Sequence, residues 1–107
     1  MKIIVNKYLV PPGAIAWTIY PFIIFKDKKY VKDIYIRHER IHLAQQKELW
    51  VLPFFIMYIA NFFWNLVRAN PTPYRSIVFE TEAFSKQLDK DYLKNRKRHA
   101  WRSFIKE

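Results

Sequence analysis

The chain has 107 residues, of which 51% are hydrophobic and 19% aromatic, which is enough for one core and too little for two. Residues 1–107 therefore read as a single domain and not as a disordered tail, and 19 Lys and Arg against nine Asp and Glu leave a net charge of +10 that points to an anionic partner. No cysteine means no disulfide, no thiolate zinc site and no cysteine nucleophile, and a single Gly argues against a Gly-rich phosphate loop or a many-turned β-sandwich.

Met1 to Val10 has no long apolar stretch, and Pro11, Pro12, Gly13 and Pro21 interrupt the next stretch of chain. No signal peptide of the usual form is expected, which with the missing cysteines favours the cytoplasmic side. Residues 14–25 (AIAWTIYPFIIF) are β-branched and aromatic, and Pro21 divides them into two short strands or one bent strand. Asp27 to Lys32 reads as a polar turn, with Asp33 as the N-cap of a helix running from Ile34 to about Leu52. Pro53 either kinks that helix or opens a second one reaching Arg68, and Asn70, Pro71, Thr72 and Pro73 stop it. Ser76 is placed to cap a third helix, Ile77 to about Lys90, and a basic helix succeeds it from Tyr92 to Ile105. The predicted class is α+β, mostly α, with a short N-terminal β element ahead of the helices.

Leu49 to Val67 is a run of uncharged residues (LWVLPFFIMYIANFFWNLV) about 28 Å long as a helix, nearly enough to cross a bilayer. Pro53 and the row Tyr58, Asn61, Asn65 and Arg68 on one face argue against a span. The remaining readings are a helix buried in the core or one lying in a membrane interface.

His38, Glu39 and His42 spell H-E-x-x-H in the first helix. Residues four apart project from one helical face, so both imidazoles can reach one zinc ion while Glu39 stands beside the water that the ion activates. A third ligand comes from elsewhere in such sites, commonly a glutamate. Glu80 shares its face with Ala83, Phe84 and Leu88 and is expected to point inward, whereas Glu82 shares one with Ser85, Lys86 and Asp89 and is expected outside. A salt bridge from Glu80 to Arg75 is the competing use of that carboxylate, and His99, in a basic run, is the weaker ligand. If Glu80 joins the histidines, a straight span by residues 49–67 is excluded, because it would leave His42 and Glu80 on opposite sides.

The segments HERIHLAQQ (residues 38–46) and YRSIVFETEAF (residues 74–84) resemble small zincin-like proteins of bacteria and their phages. More distantly, H-E-x-x-H with a later E-x-x-A (Glu80-Thr81-Glu82-Ala83) is similar to the gluzincin metallopeptidases, which include thermolysin and the CAAX-processing proteases. The resemblance implies His38, His42 and Glu80 as Zn²⁺ ligands, Glu39 as general base and a peptide or protein substrate. Phe84 stands where gluzincins often carry an Asp that orients a ligand histidine, which leaves that role unassigned. Tyr74 and Arg75 are the candidate contacts to the transition state or substrate, and Ala16, Trp17, Thr18 and Ile19 the candidate edge strand for a bound peptide.

Lys90 to Lys106 alternates basic residues with Leu93, Ala100, Trp101, Phe104 and Ile105, the pattern of a basic amphipathic helix. Next to so apolar a segment as residues 49–67, an anionic membrane surface is the preferred partner over nucleic acid. A zinc metallopeptidase acting at the membrane surface is the expected function. An inert metal-binding or adaptor protein and a basic nucleic-acid-binding module are the alternatives.

Overall fold

A computed structural model describes residues 2–105. Its order is β1 (Lys2–Val5), β2 (Ala16–Ile19), β3 (Phe22–Phe25), α1 (Asp33–Leu49), α2 (Val51–Val67), α3 (Val78–Lys86) and α4 (Tyr92–Asn95), with single 3₁₀ turns at Lys7–Leu9, Lys28–Tyr30 and Ala100–Phe104. The class is α+β and mostly helical, as the sequence indicates. Two strands flank Pro21, not one bent strand, and β1 joins them as a third that the sequence reading had not assigned.

The sheet order is β1-β3-β2, with β3 parallel to β1 and antiparallel to β2. Paired on both sides, β3 is the most apolar strand, and its Ile23 and Phe25 are fully buried against Leu43 of α1. β2 is left at the edge nearest α1. Ile15 O accepts from Lys26 N, so in the alternating antiparallel pattern residues 15, 17 and 19 bond towards β3, and the backbone of 16, 18 and 20 faces outward.

Several helix boundaries differ from the sequence reading. Asp33 is the first residue of α1 and not its cap; Lys32 precedes it in extended conformation, and Asp33 complements the helix dipole from within the first turn. The helix stops at Leu49, three residues early, because Trp50 takes φ 69° and ψ 154°, and α2 leaves at 112° to α1. Pro53 is thus the third residue of α2, where a missing N–H breaks no helical hydrogen bond. Ser76 bonds to Asn70 and Thr72 and does not cap α3; instead Asn61 Oδ1 of α2 accepts from Val78 N at 2.8 Å. The third helix also ends four residues early, at Lys86.

The expected basic helix from Tyr92 to Ile105 is interrupted. Arg96 is extended and His99 left-handed (φ 59°), because Arg96 turns inward to Glu82 and Glu48 while His99 N donates to Glu48. Lys106 of the basic pattern lies outside the described residues. No single helix among the described residues is long and apolar enough to cross a membrane.

Candidate metal centre

α1 places His38 and His42 one helical turn apart, and α3 packs beside α1 so that Glu80, in its first turn, meets both rings. Glu80 Oε1 lies 3.0 Å from His38 Nε2 and 3.0 Å from His42 Nε2. One ligand atom from each of the three residues lies within 4.8 Å of the others, and all three are buried. His38, His42 and Glu80 could therefore hold a metal ion.

The far ring nitrogens are committed elsewhere. Gln45 Nε2 donates to Phe79 O and to Glu82 Oε1, which leaves its Oε1 to face His42 Nδ1 at 2.8 Å. His42 must therefore donate from Nδ1, and its Nε2 is the atom directed at Glu80, a donor when protonated and a metal-binding lone pair when not. His38 Nδ1 meets Gln87 Oε1 at 2.9 Å. Two ring nitrogens and a carboxylate oxygen converging in a buried space require a cation among them, whether protons or a metal. Burial alone would lower His42, but the charge of Glu80 and its hydrogen bond outweigh that effect and push the imidazole up to about 9. Glu80 answers in the opposite sense: burial works against its charge, and His42 and His38 together hold it well below the carboxylate range.

The orienting role left open by Phe84 thus falls to two glutamines. Phe84 instead stacks edge-on against His38, with ring centroids 4.6 Å apart. Arg75 does not reach Glu80 as the sequence reading allowed; its guanidinium lies over Phe84, 4.7 Å from the ring centroid. A dispersed cation on an aromatic face needs no carboxylate, so Glu80 stays with the histidines. His99 packs near Trp101, outside the cluster.

Glu39 is buried beside the histidines, and its Oε1 accepts from Thr18 Oγ1 at 2.7 Å. Thr18 therefore holds the candidate base, a use of its side chain that strand patterning does not reveal. The outward backbone of β2 is partly taken: Gln46 of α1 donates to Thr18 O and accepts from Tyr20 N, both at 2.7 Å. Ala16 N, Ala16 O and Thr18 N remain on the outward edge. Ala16, Glu39 and Tyr74 line both of two cavities: one of about 270 Å³ reaching His42, Glu80 and the rings of Trp17, Phe54 and Phe55, and one of about 510 Å³ reaching His38 and Phe84.

Two residues at the centre escaped the sequence reading. Tyr58 donates its hydroxyl to Glu80 Oε2 at 2.5 Å, and burial first and Glu80 second keep that phenol neutral far above its usual range. The signal was the polar row Tyr58, Asn61 and Asn65 in an otherwise apolar helix. Glu82, expected outside, is fully buried. It accepts from Tyr92 Oη, from Gln45 Nε2, and from both Nε and Nη2 of Arg96, which hold its carboxyl low against the opposing effect of burial. α3 is covered on a second side by the chain from Tyr92 to Phe104, so a helix with one inner face was the wrong premise. Comparison with protein-family models, with curated proteins and with solved structures finds no match to this chain.

Proposed function

We propose that the chain is a zinc-dependent metallopeptidase of gluzincin-like design. The observation that carries the reading is the convergence of His38 Nε2 and His42 Nε2 on one oxygen of Glu80 at 3.0 Å. Tetrahedral zinc with bonds of about 2.0–2.2 Å needs ligand atoms about 3.3–3.6 Å apart, close to the 3.0 Å that separates each imidazole nitrogen from Glu80 Oε1. Three protein ligands leave a fourth position, the arrangement of catalytic rather than structural zinc. A zinc ion there would supply Lewis acidity, lowering the pKa of bound water to about 7 and polarising a carbonyl.

The chain's own residues supply the rest. Glu39, held at one oxygen by Thr18, has its other oxygen available to take a proton from water and return it to the leaving amine. Tyr74, half exposed, borders both cavities next to Glu39, and its neutral phenol can donate to the oxyanion of a tetrahedral intermediate. Ala16 N, Ala16 O and Thr18 N offer backbone pairing to an extended peptide at the junction of the cavities. The partner implied is a peptide or protein segment in extended conformation.

Metal analysis of purified protein tests this. One zinc per chain, lost in both His38→Ala and Glu80→Ala while the fold persists by circular dichroism, is the expected result. Glu39→Gln should keep the zinc and abolish hydrolysis of a peptide library. A folded protein that takes up no zinc would overturn the reading, and retained hydrolysis in Glu39→Gln would remove Glu39 as the base.

A further inference from the structure

α2 is apolar on both sides, and its polar residues point inward. Beside Phe54 and Phe62, which pack in the core, the inward face carries Tyr58, Asn61 and Asn65, each hydrogen-bonded to the α3 side of the fold. Its outward face carries Leu52, Ile56, Ile59 and Phe63, spaced three or four apart, and then Leu66 and Val67 three and four residues on, with exposures between 47% and 79%. A helix on a water-facing surface has the opposite arrangement. The stripe runs about 23 Å along the helix without a charge or a hydrogen-bonding side chain, longer than the isolated apolar patches of water-facing surfaces. Exposed Trp50 and Trp64 stand near its two ends, and Arg68, also exposed, lies against the Trp64 ring.

The charge around the stripe selects its occupant. No acidic residue occurs from Leu49 to Phe79. Of the nine acids, Glu39, Glu80 and Glu82 are buried and Glu48 pairs with Arg96, so the outer surface is more one-sidedly basic than +10 conveys. A second copy would bring together two chains of +10 each, with no acidic residue at the stripe to pair with their cations. Nucleic acid offers phosphates, for which the stripe has no donor. An anionic bilayer surface offers both an apolar layer below and negative charge around it.

We infer that the outward face of α2 docks in the plane of an anionic lipid surface, with Leu52, Ile56, Ile59, Phe63 and Val67 entering the acyl boundary. The inference uses no part of the peptidase reading and stands or falls separately from it.

Flotation of the full chain with vesicles tests it, comparing phosphatidylcholine alone with phosphatidylcholine and phosphatidylserine mixed. Partitioning should favour the anionic vesicles by ~10-fold or more, as expected if at least two basic side chains near the surface each contribute about 1 kcal/mol. Tryptophan fluorescence should be quenched by lipids brominated on the acyl chains. Ile59→Glu, and the milder Phe63→Ser, should each reduce partitioning with the far-UV circular dichroism unchanged, whereas Leu88→Glu, at an exposed position outside α2, should not. Absence of binding by the wild-type chain would overturn the inference, as would binding without quenching or binding that survives both α2 substitutions. Sedimentation showing a dimer that Ile59→Glu dissociates would assign the face to a second copy instead.

Discussion

Arg96→Leu probes the wall behind the candidate metal centre. Arg96 lies 5% exposed at its side chain, donating two hydrogen bonds to Glu82, whose side chain is fully buried, and one to Glu48. Removing one partner of a buried ion pair leaves the other charge without compensation and costs about 3–5 kcal/mol. Against a total stability of about 5–15 kcal/mol for a domain, that is a large share, and it corresponds to a fall in Tm of about 12–30 °C. The pH dependence gives a second readout. In the wild type Glu82 is held below its ordinary 4.5, so its contribution is present above that pH and is lost as pH falls through the lower folded value. Without Arg96, burial dominates and raises Glu82, so the variant loses stability as pH rises above 4.5. The Tm gap between the two proteins should therefore narrow steadily from pH 7 to pH 4. Glu82→Gln combined with Arg96→Leu, which removes both charges, should recover much of the loss. Thermal melts across that pH range measure all three proteins; a loss for Arg96→Leu within about 1 kcal/mol of wild type, or a gap that ignores pH, would refute the argument.

Gln45→Leu removes the acceptor that fixes His42 and should weaken metal affinity about 10–100-fold, measured by chelator competition. His42, pushed up to about 9, carries a proton at neutral pH when no metal is bound, and a metal must displace it. Calorimetry in buffers of different ionisation enthalpy should thus find about one proton released per ion at pH 7, with apparent affinity rising about tenfold per pH unit and levelling off near pH 9. Trp50→Gly should stabilise the chain: φ 69° with ψ 154° is glycine territory, with strain of about 1–3 kcal/mol against about 0.5–1 kcal/mol of added backbone entropy cost, and the 76% exposed ring gives up little packing. Chemical denaturation that shows Trp50→Gly to be less stable would mean the ring or the bend contributes more than its exposure indicates.

The H-E-x-x-H pair, the inward turn of Glu80 and the stop at Asn70 to Pro73 were readable along the chain, because each depends on periodicity or turn chemistry within a single element, whereas the edge position of β2 depends on which strands pair and residues 16–19 alone read equally as a core strand. Glu82 was misplaced because its partners arrive from Tyr92 and Arg96, and single-helix geometry cannot see a second covering layer. The basic C-terminal helix failed for the same reason, since the buried attraction of Glu82 and Glu48 for Arg96 overrides local helical preference. Thr18 and Gln46 look like an ordinary strand residue and an ordinary helix residue until β2 and α1 are side by side. The bend at Trp50 had only Pro53 as a signal, three residues late.

The three rungs from α2 to the α3 side, Tyr58 to Glu80, Asn61 to Val78 and Asn65 to Pro73, are spaced at three and four residues along one face. A slip of α2 by one turn, about 5.4 Å, would break all three at once, so the helix has one register or none. Sequence change is therefore unequally permitted around its circumference. The outer positions need only remain apolar and can exchange Leu, Ile, Val and Phe without a trace at the candidate metal centre, whereas Tyr58, Asn61 and Asn65 are each fixed by a particular atom. A lineage of this protein should accordingly show a drifting outer stripe beside an invariant polar row, a pattern opposite to that of an ordinary surface helix.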